Sequence, residues 1–181
     1  MKPEHGTFYE TRAMVYLGLK QREQAQSDLQ KACALDPGFI GHGWRNEYLL
    51  LCLHGASLEA AQRLEALAQT DLTTAILSTP QDHIVHICRG VAHWLCGDFE
   101  QALTELEQAI LLDVYDEDTY FWVGIACASL GRDDEAHKAL QRALELGLLP
   151  LFLAPLHWLE PQRPDFYTRY ALPLLNGSTD I

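Results

Sequence analysis

Apolar residues recur along much of this chain at steps of three and four, the spacing of one face of a helix, and the runs are broken at intervals by glycine, aspartate and proline. Two segments, His83 to Asp116 and Glu117 to Pro150, repeat the same pattern at a spacing of 34 residues. Gly90, Gly97, Ala102, Leu106 and Ala109 stand in the first where Gly124, Gly131, Ala136, Leu140 and Ala143 stand in the second. A fixed period of this length is the mark of stacked helical hairpins. It predicts a solenoid, an architecture that presents an extended binding surface.

Gly97 and Gly131 fall where one apolar-periodic segment ends, a place that favours a residue tolerating positive φ. Asp98 and Asp133 follow, residues suited to the unpaired N–H groups of a new helix. Ala102 and Ala136 predict close approach of the two helices of a hairpin, with Leu106 and Leu140 filling the gap one turn later.

The same series extends toward the N-terminus. Ala25, Leu29, Ala32 and Pro37 mark a second helix preceded by Tyr9, Ala13 and Tyr16, and Leu35, Asp36 and Pro37 close the unit. Trp44, Tyr48, Leu51, Gly55, Ala60, Leu64 and Leu67 mark another. Taken together these residues resemble the tetratricopeptide repeat family. The resemblance implies an all-α fold, a right-handed superhelix of antiparallel helical hairpins, with hairpins near 6–38, 41–70, 83–116 and 117–149 in one domain spanning 1–181. The step from Ala25 to Ala60 is 35 but that from Ala60 to Ala102 is 42, so an irregular loop is expected at 70–81, where threonine, serine and proline gather.

Beyond Pro150 the period fails. Leu148 to Trp158 is dense in apolar residues yet interrupted by Pro150 and Pro155, and it is too short to span a bilayer. After Pro161 and Pro164 a last amphipathic stretch carries Phe166, Tyr167, Tyr170, Leu174 and Leu175. Residues 150–175, with their lead-in from Leu148, read as a C-terminal cap for the apolar end face of the array. This ending also resembles that of bacterial repeat arrays attached to multidomain signalling ATPases and related effectors.

A chain of 181 residues with 48% hydrophobic content can bury a continuous core. The formal net charge of -12 opposes binding to a phosphate backbone, so no nucleic-acid partner is expected. The acidic clusters around Asp116 and Asp133 fall at turns and helix starts, where they complement the helix dipole. Residues 1–6 lack an apolar signal core and no stretch reaches membrane-spanning length, which points to the cytoplasm and away from a membrane. Five cysteines, an odd number on predicted helices, read as small buried residues of a reducing compartment.

Candidate chemistry is sparse. His83, His86, Cys88, His93 and Cys96 are the strongest metal-like group, but His86 and His93 hold the places of Tyr120 and Cys127 in the next unit, which are packing positions. His42 and His54 lie too far apart along their helix. No serine sits in a nucleophile elbow, no cysteine is set beside a histidine in a catalytic motif, and there is no glycine-rich phosphate loop. The expectation is a non-enzyme with no catalytic residues, cofactor or metal.

The family resemblance implies that the first helix of each hairpin lines the concave side, through places 2, 5, 9 and 12 of the repeat. Those places hold Thr7, Glu10, Met14 and Leu17, then His42, Arg45, Leu49 and Cys52, then Ile84, Ile87, Val91 and Trp94, then Asp118, Phe121, Ile125 and Ala128. The candidate partner-binding groove is therefore Arg45, Leu49, Ile84, Ile87, Val91, Trp94, Phe121 and Ile125. Family members that clamp a peptide carboxylate carry lysine, arginine and asparagine here, and this chain offers only Arg45 and Asn46 of that type. An apolar or amphipathic protein segment is the expected ligand, held by a scaffold or adaptor, with self-association as another use of the same face; the other reading is that the stripe is already covered by the cap, by the loop at 70–81 or by a second copy of the chain. The alternative is a regulatory sensor segment of a larger signalling or defence assembly.

Overall fold

The computed structural model describes residues 6–19, 21–35, 50, 66 and 81–177. Among the described residues six helices form three hairpins: α1 (Gly6–Gly18) with α2 (Arg22–Leu35), α3 (His83–Leu95) with α4 (Phe99–Leu112), and α5 (Glu117–Ser129) with α6 (Asp133–Leu146). A 3-10 segment, Pro150–Leu159, follows. The closing helix, here α7, runs from Pro164–Phe166 through a π turn at Tyr167–Ala171 to Leu172–Gly177. No strand occurs among the described residues. The fold is all-α. The hairpin expected at 41–70 and the loop expected at 70–81 lie almost wholly outside the described residues, and Arg45 and Leu49 with them.

In the hairpins of α3 and α5 the first helix is opened by a side-chain cap. Asp82 accepts from the Ile84 N–H at 3.1 Å, and Asp116 accepts from both the N–H and the hydroxyl of Thr119, at 2.6 and 2.5 Å. The second helices start differently. Gly97 and Gly131 adopt φ of +85° and +79°, and the next N–H groups, of Asp98 and Arg132, bond back to His93 and Cys127 carbonyls at 2.9 Å. This left-handed closure leaves no room for a separate cap: Asp98 ends one helix and starts the next with no side-chain cap bond. Asp133, expected to open α6, is its first residue, with Arg132 at the cap position, and its carboxylate is used elsewhere.

Helix approach inside a hairpin is set by glycine. A Cβ on Gly90 would lie 2.7 Å from Leu106 Cγ and 3.1 Å from the Ala102 carbonyl oxygen. Ala102, Leu106, Ala136 and Leu140 are all buried. One apolar cluster extends from Ala13 and Leu29 through Leu50, Val85, Leu106 and Trp122 to Leu156 and Phe166. At the N-terminal hairpin the buried Asp28 accepts a two-pronged bond from Arg12, at 2.6 and 2.7 Å, tying α2 to α1. Cys88 and Cys127 are buried as expected. Cys96 is not, because it lies at the exposed end of α3 where the chain turns.

Candidate functional site

Ile84, Ile87, Val91 and Trp94 line one side of α3, and Phe121 and Ile125 one side of α5. Of the two readings that the sequence leaves for this stripe, an open apolar groove and one already covered, the structure corrects the first: Ile87, Val91, Trp94, Phe121 and Ile125 are buried within their own chain, Trp94 being the most exposed of them at 5%. Ile84 alone of the six is half-buried.

Part of the cover is the 3-10 segment, which packs against α5. Trp158 stacks on Trp94, with ring centroids 5.4 Å apart and planes 22° apart, and lies 6.1 Å from Trp122. Trp94 and Trp122 meet edge to face at 6.2 Å. Such aromatic pairs add to the energy of area burial alone. The Trp94 N–H is satisfied by donation to Ser129 Oγ at 2.9 Å, and Ser129 in turn donates to the Ile125 carbonyl at 3.1 Å. Phe152, Leu153, Leu156 and Leu159 complete the buried side of the segment.

A polar latch follows the aromatic cluster. Arg163 donates to the Ala128 carbonyl oxygen at the end of α5 and, at 2.7 Å, to the Asp133 carboxylate at the start of α6. Backbone and side-chain acceptors thus converge on one guanidinium, each taking a different nitrogen. Neither Trp158 nor Arg163 was singled out by the repeat pattern, because both lie past the last periodic residue. The available signal was a stretch too apolar for a surface and with no helical stripe of its own. Such a stretch has to cover something.

The stripe of the first hairpin is less covered: Thr7 and Met14 are exposed, while Glu10 is buried. On nearly the opposite face of α5 from Phe121 and Ile125, a shallow pocket of 380 Å³ is lined by Leu103, Ile110, Tyr120, Val123, Cys127 and Ala139, with charged side chains at its edge. One repeat earlier, the places of Tyr120, Val123, Cys127 and Ala139 are held by His86, Arg89, His93 and Glu105. There His86 Nδ1 lies 2.8 Å from Glu105 Oε2, and Arg89 pairs with Glu105 at 3.2 Å. The same location is an ion cluster in one unit and an apolar hollow in the next.

The remaining histidines of α3 also face carboxylates. His83 lies 3.7 Å from Asp116 and His93 4.0 Å from Asp98. Among the described residues no three histidine, cysteine or acidic side chains converge as a metal site. Burial pushes the Cys127 thiol up to about 11, which suppresses the thiolate needed for nucleophilic attack. No helix among the described residues is long and apolar enough to cross a membrane.

Residues 7–39 and 117–146 match the family model described as tetratricopeptide repeat. Comparison with curated proteins found no match. Among solved structures, the chain is similar to a thermophilic TPR protein of Thermus thermophilus, at 23% identity and a TM-score of 0.55 over 96% of this chain and 84% of that one. It is also similar to PilF of Pseudomonas aeruginosa, at 19% identity and a TM-score of 0.50 over 96% and 76% of the two chains. At these identities the likeness is one of fold.

Proposed function

We propose, from the match of residues 7–39 and 117–146 to the tetratricopeptide repeat, that this chain is a non-catalytic scaffold or adaptor that holds an apolar or amphipathic segment of a partner protein against its concave face. A fold of this kind supports protein–protein interaction in general. The observation that carries the finer reading is the stack of Trp158 on Trp94: the last residue of the stripe on α3 already receives an aromatic side chain supplied by the chain itself. Exposed Met14, on the first hairpin's part of the stripe, gives a partner a place to begin. The net charge of -12 favours a ligand that is apolar or basic over an acidic one.

A second reading is a regulatory sensor segment within a larger signalling or defence assembly. The stack of Trp158 on Trp94 favours it, since a neighbour that bound the chain better with this contact open would shift the balance toward opening.

The test is site-specific photo-crosslinking in the cell of origin, with the reactive group at Met14 and a control group at the exposed Gln101. The expected result is one dominant protein adduct at Met14, mapped by mass spectrometry to an apolar or amphipathic segment, and none at Gln101. Equal, scattered labelling at both positions overturns the reading.

A further inference from the structure

The 3-10 segment is built unlike the rest of the molecule. A run from Pro150 to Leu159 is long for a 3-10 helix, whose hydrogen-bond geometry is poor and which is normally confined to a few residues. Pro150 and Pro155 have no N–H to give, so the segment depends for its shape on what it packs against. It is joined to α6 through Gly147, at φ +107°, and leaves through the exposed Glu160, Pro161 and Gln162. Its hold on the array has three parts: the buried side chains of Phe152, Leu153, Leu156 and Leu159, the Trp158 ring against Trp94 and Trp122, and the Arg163 guanidinium on the Ala128 carbonyl and Asp133.

We propose that Pro150 to Arg163 is a resident, displaceable occupant of a recognition site formed by Trp94, Trp122, the Ala128 carbonyl and Asp133, and that a partner enters by replacing it with its own aromatic residue followed five positions later by arginine. This rests on the reading of the chain as an interaction module and specifies what that module selects. The aromatic anchor fills the place over Trp94, and the arginine takes over the Asp133 carboxylate and the second bond to the Ala128 carbonyl, which also accepts from the Gly131 N–H at 3.1 Å. An entering segment lacking arginine breaks the charged bond to Asp133 on opening and does not remake it. An entering segment with both groups, and with apolar residues at the places of Phe152, Leu153, Leu156 and Leu159, reburies the same surface. The exchange is then close to balanced, which lets a partner of ordinary affinity drive it.

Three measurements on the full chain test this. In the wild-type protein, hydrogen exchange is expected to show the amides of residues 151–159 opening without those of α5 and α6. Trp158→Ala and Arg163→Gln are each expected to raise exchange in that segment by about tenfold or more, the factor that 1.4 kcal/mol of lost hold-down represents. A fluorescently labelled synthetic peptide with the sequence of residues 150–163 is expected to bind either variant at least about tenfold more tightly than wild type, on the same conversion. The same peptide with alanine at either the tryptophan or the arginine place should lose that binding.

Exchange of the segment only through global unfolding, with the denaturant dependence of α5, overturns the proposal and makes the segment a permanent end cap. So does peptide binding that is equal in wild type and variants or indifferent to its tryptophan and arginine. Because the wild-type exchange experiment needs no substitution, misfolding of a variant does not protect the idea. If the segment opens and the peptide binds while crosslinking finds no cellular partner, the scaffold reading fails and the site stands. The converse result, a crosslinked partner with a segment that never opens, removes the site and leaves the scaffold.

Discussion

Gly124 and Leu140 interlock across the last hairpin: a Cβ on Gly124 would lie 2.7 Å from Leu140 Cγ and 3.2 Å from the Ala136 carbonyl oxygen. Gly90 and Leu106 make the same contact in the hairpin before, also at 2.7 Å. Leucine Cγ is a branch point inside a packed core, so it yields less readily than the end of a flexible side chain.

Gly124→Ala therefore sets two effects against each other. Alanine gains about 1 kcal/mol in helix propensity over glycine. Overpacking a filled core costs about 1 to 3 kcal/mol. With a carbonyl oxygen behind the leucine, the clash wins, and the variant should unfold at a lower urea concentration than wild type. Adding Leu140→Ala should relieve the clash, visible as a positive coupling in a double-mutant cycle. An unchanged midpoint for Gly124→Ala would mean that the hairpin can open by a few tenths of an ångström at no cost.

Trp94→Ala and Phe121→Ala should act on stability first. Both side chains are buried, and truncating a buried aromatic costs about 3 to 5 kcal/mol. The Trp94 change also leaves Ser129 Oγ without its donor. Thermal denaturation should show both variants melting earlier. Melting curves matching wild type would restore these residues to an open groove.

The repeat was legible because close helix approach demands glycine and alanine at fixed register, so Gly90, Ala102, Gly124 and Ala136 wrote the geometry into the chain. The cover over Trp94 was not. A stripe such as Ile87, Val91 and Trp94 has the same periodicity whether its partner is another molecule or the chain's own tail, and the tail carries no period that would pair Trp158 with Trp94. The helix starts were half legible for a related reason: Asp98 has the right chemistry for a cap, but its backbone is engaged in closing the preceding helix. The hollow beside Tyr120 shows only when the two units are compared place by place, apolar side chains having replaced an ion cluster.

Asp116→Ala should cost more than an ordinary cap. Losing the cap bond is worth about 1 kcal/mol. Thr119, fully buried, also loses the acceptor for its hydroxyl, which adds about 1 to 3 kcal/mol. Asp116→Asn retains an acceptor oxygen and should recover most of the loss in a chemical denaturation series. Equal stability of the two variants would place the contribution in charge alone.

Cys96 and Cys127 should react very differently with thiol reagents. Cys96 is exposed, whereas Cys127 is buried with its thiol pushed up to about 11. Peptide mapping after brief alkylation near neutral pH should find Cys96 modified and Cys127 intact. The raised value also has a sign for stability: between the ordinary thiol value of 9.0 and about 11, the unfolded chain has released the proton and the folded chain retains it. Stability should then fall as pH rises through this window. Modification of both thiols at one rate would show that the α5 face opens freely.

The aromatic seam at the end of the array has an optical consequence. Three of the chain's four tryptophans, Trp94, Trp122 and Trp158, sit within ring contact of one another. Indoles held this close at fixed mutual angles couple their transitions, so their shared band is superimposed on the helical circular dichroism and their emission is dominated by one environment. The protein thus carries its own chromophore at the junction between the repeats and the tail, and light absorbed there reports on that junction without any added label.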